Sequence, residues 1–330
     1  MKLVSFSLKP VAPFRLDYTV WALRRRPDNI VDRWEDGRYQ RVFDLGTAVF
    51  AVSVVQRGFS RDPVLEVKVE GDKISPEDIK TIGRRLTRIL GLNVELADFY
   101  ALAKKDELLG PLAREFQGVK PPRFGSVYEA LVNAVACQQM SLLVGVRLLN
   151  RLAQAYGKSF ADSLSYGPQY AFPSPDVLAE ARPAAVRALG FSGRKAQYIK
   201  GISCFAAGNP GSSGCGKAGS ATFDIEALEA LADEEAETKL ESLEGVGRWS
   251  AQYVLLRGMG RLGVFPGDDV GARAKLKEWL AIEAPLDYEG VRRIAARWRP
   301  YGGLVYFHLL LKNLKAKGLF LPMEREEVSV

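Results

Sequence analysis

A chain of 330 residues is too long for one modest core and suits two or three packed units. Hydrophobic residues make up 47% and charged residues 26%, which excludes a disordered or collagen-like chain and fits a globular protein with a sizeable core. The 46 Lys and Arg against 39 Asp and Glu leave a net charge of +7, compatible with a polyanionic partner without demanding one. The opening residues, MKLVSFSLKPVAPF, hold no apolar run of signal-peptide length, and no segment is long and apolar enough to span a bilayer, so export and membrane insertion are not expected. From residue 14 to 69, short runs rich in β-branched and aromatic residues (DYTVWAL, RYQRVFDLG, AVFAVSVVQRG, VLEVKVEG) are broken by Pro, Asp and Gly and predict an antiparallel sheet. SPEDIKTIGRRLTRILGL predicts a helix packed on that sheet, with Ser75 as N-cap, Pro76 in the first turn, Gly91 at the stop, and Ile79, Ile82, Leu86, Ile89 and Leu90 as its buried stripe.

Beyond Asp98 the strand signal fades and amphipathic helices follow one another. They run through residues 96–116, 126–157, 174–190, 194–208, 224–243, 247–260, 270–282 and 288–318. The sequence thus predicts an α+β protein: an N-terminal antiparallel sheet with a helix over residues 1–110, then an all-helical body over residues 111–330. The Gly/Ser-rich stretch 208–223 reads as a surface connection inside the helical part. Cys137, Cys204 and Cys215 are odd in number and widely spaced, so they write neither a disulfide framework nor a four-cysteine iron–sulfur cluster, and the expectation is a reduced, cytoplasmic chain.

Two features lie close together in LEGVGRWSAQYVLLRGMGRLGVFPGDDVGARAKL, residues 243–276. The first is a turn with Gly245 and Gly247 between two helices, where the start of the second helix leaves backbone amides free to grip a phosphate. Such turns also join helices in proteins that never touch a nucleic acid. The second is the pair Asp268 and Asp269. An aspartate there caps the following helix, and alternatively one caps while the other stabilises positive charge or activates water.

Together these residues resemble the helix-hairpin-helix DNA glycosylases, in the 3-methyladenine DNA glycosylase II branch. EALVNAVACQQMS, AFPSPDVLAEA, LGFSGRKAQYI and RWRPYGGLVYFHLL are similar to further stretches of that family, in the same order. The resemblance implies a TATA-binding-protein-like N-terminal domain and a helical glycosylase body of two lobes flanking an active-site cleft. It implies a monomer that acts on double-stranded DNA, flips an alkylated purine nucleotide and hydrolyses its N-glycosidic bond. It needs no cofactor and no iron–sulfur cluster.

Position by position, the resemblance makes Asp269 catalytic and leaves Asp268 as the helix cap. Trp249, Tyr253 and Leu310 form the base pocket. Gly245, Val246, Gly247 and Arg248 bind a DNA phosphate. Gln139 is the wedge that fills the gap left by the flipped base, with Met140 beside it, while Gln138 and Ser141 hold the loop. The backbone carbonyls of Glu241, Leu243 and Val246 are implied to hold a monovalent cation. Trp249 stands where strand-cutting relatives carry a lysine nucleophile, which implies hydrolysis without a Schiff base. Lys239 and Lys275 are the nearest amines in sequence and read as solvated charges. Glu244 replaces a frequent proline, Leu310 replaces an aromatic residue, and His308 reads as a core histidine. The alternatives are a glycosylase of the same fold for oxidised or deaminated bases, and a lesion-binding protein without catalysis.

Overall fold

The structure, a computed structural model, describes residues 1–160, 168–208, 223–320 and 322–323. All of the Gly/Ser-rich connection except its two ends lies outside these residues. The N-terminal layer contains β1 (Lys2–Leu8), α1 (Leu16–Arg24), β2 (Arg33–Glu35), β3 (Arg38–Asp44), β4 (Val49–Arg57), β5 (Val64–Gly71) and α2 (Pro76–Ile89). The strands form one antiparallel sheet in the order β1-β5-β4-β3-β2. Alternation along β4 turns Phe50, Val52 and Val54 inward, and Val52 and Val54 lie opposite Val69 and Val67 of β5. Ile82, Leu86 and Ile89 of α2 join the same core. A capping box starts α2: the Ser75 hydroxyl accepts from the Asp78 amide at 3.1 Å, and the Ser75 amide donates to the Asp78 carboxylate at 2.8 Å. Gly91, at φ +61°, follows its end.

The expected strand DYTVWAL is instead helix α1. All nine of its residues are buried, so it shows no polar face and no helical period, and its aromatic and β-branched content imitates a strand. In exchange, residues 2–8, to which the sequence reading gave no structure, pair with β5 as β1.

The body comprises α3 (Ala97–Lys104), α4 (Leu109–Glu115), α5 (Val127–Cys137), α6 (Leu142–Tyr156), a two-strand ribbon of β6 (Ser159–Phe160) and β7 (Gln169–Tyr170), α7 (Pro175–Glu180), α8 (Pro183–Ala188), α9 (Gly193–Ala206), α10 (Asp233–Glu241), α11 (Arg248–Arg257), α12 (Val270–Trp279), α13 (Tyr288–Ala295) and α14 (Gly302–Ala316). Two long helical stretches of the sequence are broken. Residues 96–116 divide where Asp106 takes the amides of Leu108 and Leu109 at 3.0 and 2.9 Å, and residues 126–157 divide between Gln138 and Ser141.

The core does not divide at residue 110, which lies inside α4. One apolar cluster joins the sheet and α2 to α5, α6, α9 and α11. A second joins Tyr18 and Trp21 of α1 to α3, α4, α12 and α14. The N-terminal layer therefore feeds both halves of the body. A buried ion network ties β3 to α5: Arg41 reaches Asp32 at 2.7 Å and Glu129 at 2.6 Å, and Tyr39 donates to Asp32 at 2.8 Å.

Candidate nucleic-acid interface and active-site cleft

The hairpin is built from the end of α10. Its turn closes with the Val246 amide donating to the Leu243 carbonyl at 3.0 Å, while the Val246 side chain is buried below. Gly245 is required twice over: its φ is +84°, and a Cβ there would lie 2.3 Å from the Tyr198 ring. Gly247, the N-cap residue of α11, is different, because a Cβ there would meet nothing within 4 Å. That face is open. No side chain caps α11, so the first-turn amides keep their free donors beside an exposed Gly247 and Arg248, the arrangement that binds an anion. The Arg248 side chain is engaged elsewhere: it donates to Asp268 at 2.7 Å and lies 3.8 Å from the centre of the Tyr288 ring. Glu244 is exposed. The carbonyls of Glu241, Leu243 and Val246 all belong to the α10 end and its turn, and that of Leu243 accepts from the Val246 amide.

Facing the hairpin is the break between α5 and α6. Gln138 points its amide group at the hairpin, donating to the Gly245 carbonyl at 2.7 Å and to the Ser250 hydroxyl at 2.8 Å. Gln139 is exposed with φ +52°, and Met140 is exposed beside it. Ser141 caps α6 by accepting from the Val144 amide. Lys195 of α9 is buried and donates to the carbonyls of Ala136 and Gln138 at 3.1 and 2.7 Å.

Between these loops and α14 opens a cleft of about 1030 Å³. Trp249 and Tyr253, one turn apart on α11, line one wall with ring centres 5.4 Å apart and planes 30° apart. Tyr306 and Leu310, one turn apart on α14, line another. Asp269 stands at the mouth of α12. Its Oδ1 accepts from the Ala272 amide at 2.8 Å, and its Oδ2 takes no hydrogen bond from any described residue. The sequence expectation for the aspartate pair is thereby reversed: Asp269 caps the helix, and Asp268 instead forms the ion pair with Arg248. Capping and chemistry need not compete, since one oxygen serves the helix and the other faces solvent-filled space.

Several cleft residues carry no mark in the sequence, among them Lys195, Tyr198, Arg25 and Tyr306. Arg25, which follows α1 in the left-handed region at φ +62°, is buried and donates to the Tyr253 hydroxyl at 2.6 Å and to Asn133 at 2.9 Å. It lies in a run of three arginines, a pattern that ordinarily marks a solvated surface. Tyr306 is hidden in the apolar run LVYFHLL. Burial raises the phenol pKa of both Tyr253 and Tyr306, so both remain protonated O–H groups at neutral pH. Of the two amines singled out in the sequence, Lys275 reaches the cleft. It lines the cleft on α12 and donates to the Gly271 carbonyl at 3.1 Å, and burial lowers its ammonium pKa while Asp269 opposes that shift. It is not the solvated charge expected. Lys239 is, paired with Glu235 at 3.6 Å outside the cleft. His308 is fully buried, with Nδ1 2.8 Å from the Leu304 carbonyl and the ring against Phe99, and burial lowers its pKa to about 4.

The comparisons agree with this geometry. The family described as HhH-GPD superfamily base excision DNA repair protein matches residues 132–300. A DNA-3-methyladenine glycosylase of Bacillus subtilis is 28% identical over 220 residues, covering 66% of this chain and 67% of that protein. A putative DNA-3-methyladenine glycosylase of the same bacterium is 27% identical over 291 residues, covering 88% and 92%. The solved 3-methyladenine DNA-glycosylase of Archaeoglobus fulgidus superposes with a TM-score of 0.77 at 25% identity, covering 93% of this chain and 98% of that one. With the hairpin, the aspartate and the aromatic wall all inside or beside the matched span, the chain belongs to the HhH-GPD superfamily of base excision DNA repair proteins and is a base-excision glycosylase.

Proposed function

We propose that the protein removes alkylated purines of the 3-methyladenine and 7-methylguanine class from double-stranded DNA by hydrolysis, as a monomer, and leaves an intact abasic site. One observation carries this reading: Asp269, held by the first turn of α12, shares a cleft with the Trp249–Tyr253 wall and with an uncapped helix start suited to a phosphate. The amides at Gly245, Gly247 and Arg248 would hold the backbone beside the lesion without reading its sequence, while the Val246 amide keeps the turn closed on the Leu243 carbonyl. Gln139 would occupy the gap in the stack. The extruded base would lie on Trp249, whose face favours an electron-poor ring.

Asp269 Oδ2 would then stabilise the positive charge that grows on the deoxyribose as the bond to the base breaks, and water completes the hydrolysis. This chemistry is redox-neutral and calls for no cofactor. A monovalent cation held by the carbonyls of Glu241, Leu243 and Val246 would add a positive charge beside the phosphate. Because position 249 is tryptophan, no amine is offered there for covalent attack on the sugar.

Incubation with duplex DNA carrying 3-methyladenine or 7-methylguanine should release free base. The strand should break only after hot alkali, and borohydride should trap no complex. Since Lys275 lines the cleft, a borohydride-stable crosslink that disappears in Lys275→Ala would overturn the hydrolytic assignment. One observation favours a deaminated base as a second substrate. Arg25, and Arg257 behind Tyr253 with its guanidinium carbon 5.8 Å from that ring, have no carboxylate partner among the described residues. Two such charges weigh against a cationic base and leave a neutral one unaffected. Release of hypoxanthine at a rate comparable with 7-methylguanine would establish that reading.

A further inference from the structure

We propose that Gln138 and Lys195 are positioning residues that fasten the wedge loop to the hairpin, so that seating a DNA phosphate on the hairpin sets Gln139 against the base stack. The proposal rests on the glycosylase reading of the cleft and adds a mechanical link that the separate roles of hairpin and wedge do not contain.

The chain passes from α5 to α6 through residues 138–141, and Gln139 adopts φ +52°, a conformation that a residue with a Cβ keeps only when its surroundings hold it. The restraints fall on Gln138. Its carbonyl accepts from the Lys195 ammonium at 2.7 Å, and the same ammonium takes the Ala136 carbonyl at 3.1 Å, which fixes the C-terminal end of α5. Its side chain runs the other way and donates to the Gly245 carbonyl and to Ser250, both in or beside the hairpin. A third contact closes the triangle. Tyr198, one turn beyond Lys195 on α9, packs so tightly under Gly245 that a methyl group could not be placed between them.

Helix α9 therefore stands beneath both loops, and Gln138 bridges them directly. Neither loop can shift without breaking hydrogen bonds in a partly buried site, where unpaired donors and acceptors are costly. The Gly245 carbonyl belongs to the same turn as the phosphate-binding amides, so the distance from the gripped phosphate to Gln139 is set by one side chain. Extruding a base leaves a gap whose cost the wedge offsets only at the correct depth. Gln139 is exposed and makes no such contacts, which leaves it free for that task.

The test compares one lesion in two settings: paired within a duplex, and in a single-base bulge where it is already unstacked. Gln138→Met keeps the side-chain length and removes the donor, and Lys195→Met does the same for the ammonium. Both variants should release base from the paired lesion slower by roughly a hundredfold under single-turnover conditions. Release from the bulge and affinity for lesion-free duplex should stay near those of the unmodified protein. Lys195→Arg, which can donate to both carbonyls, should restore most of the paired-lesion rate. Equal losses on paired and bulged lesions would overturn the proposal and make the two residues merely structural, and so would undiminished rates on both.

A second readout does not require turnover. In Asp269→Asn protein, 2-aminopurine beside the lesion should brighten on binding, and adding Gln138→Met should abolish that rise. If the unmodified protein releases no base, the glycosylase reading fails while the fluorescence comparison still decides the link. An undiminished rise would overturn it.

Discussion

The rim of the cleft and its floor are built on opposite principles. The rim, made of the hairpin and the wedge loop, is largely exposed, presents the uncapped amides of α11 and comes from two short continuous stretches. The floor is buried and works through side chains, and it is assembled from the end of α1, from α11, from α14 and from the loop before α12. The difference follows from the tasks. A phosphate is the same at every nucleotide, so peptide groups of one turn suffice to hold it. Discrimination among bases needs donors and planes fixed in three dimensions out of water, and a single local segment cannot surround a base.

The largest test of that division is Asp269→Asn. Asparagine caps a helix as well as aspartate does, so the melting temperature should hardly move, and duplex affinity, a property of the rim, should persist. Base release should fall by roughly a thousandfold or more, measured as free base in single-turnover assays. Retained turnover would move the chemistry out of the floor.

Acid should loosen the floor before the rim. His308, on the same helix as Tyr306 and Leu310, has a pKa of about 4 when folded against 6.5 as the ordinary value. Between those values the unfolded chain binds a proton that the folded chain does not, so stability is lost as pH falls from about 6.5 towards 4. The loss is on the order of 3 kcal/mol at most, from the size of that shift. Melting temperatures across that range should show the decline, and His308→Leu should flatten it.

Arg25→Met should cost about 2 kcal/mol, because it strands the Tyr253 hydroxyl and the Asn133 carbonyl that the guanidinium now satisfies. Duplex affinity should be unchanged, while the ratio of hypoxanthine to 7-methylguanine release should drop. An unaltered ratio would mean that the floor does not select.

The smallest effects separate the two glycines of the rim. Gly245→Ala meets both an unfavourable φ and the Tyr198 ring, and should lower stability by at least about 1–2 kcal/mol. Gly247→Ala replaces a good N-cap by a poor one, at about 1 kcal/mol or less, and adds a methyl group to open space. Its main effect should appear in duplex binding, read from titrations across a range of salt concentrations, where affinity should fall steeply with salt in every variant that keeps the rim.

What could be read from the sequence follows the same line. The hairpin, its flanking helices and the aspartate pair lie within one stretch, and the alternation of β3, β4 and β5 and the capping signals of α2 are local. Arg25, Tyr306 and Lys275 carry no local mark, because what makes them cleft residues is contact with segments far away in the chain, as between Arg25 and Tyr253. Helix α1 reads as a strand for a related reason: a helix buried on all sides has lost the polar face by which helices are recognised. Which of Asp268 and Asp269 caps α12 is not legible in the sequence because both occupy the loop before the helix, and only the Ala272 amide and the Arg248 contact tell them apart.

Arg25 lies outside residues 132–300, the span shared with the superfamily. The hairpin, the wedge loop and Asp269 all lie within that span, whereas Arg25, which donates to the Tyr253 hydroxyl, is supplied by the layer in front of it. The Tyr253 wall of the cleft thus rests on a residue far ahead of the shared span, and a change at Arg25 reaches that wall without altering any residue of the span.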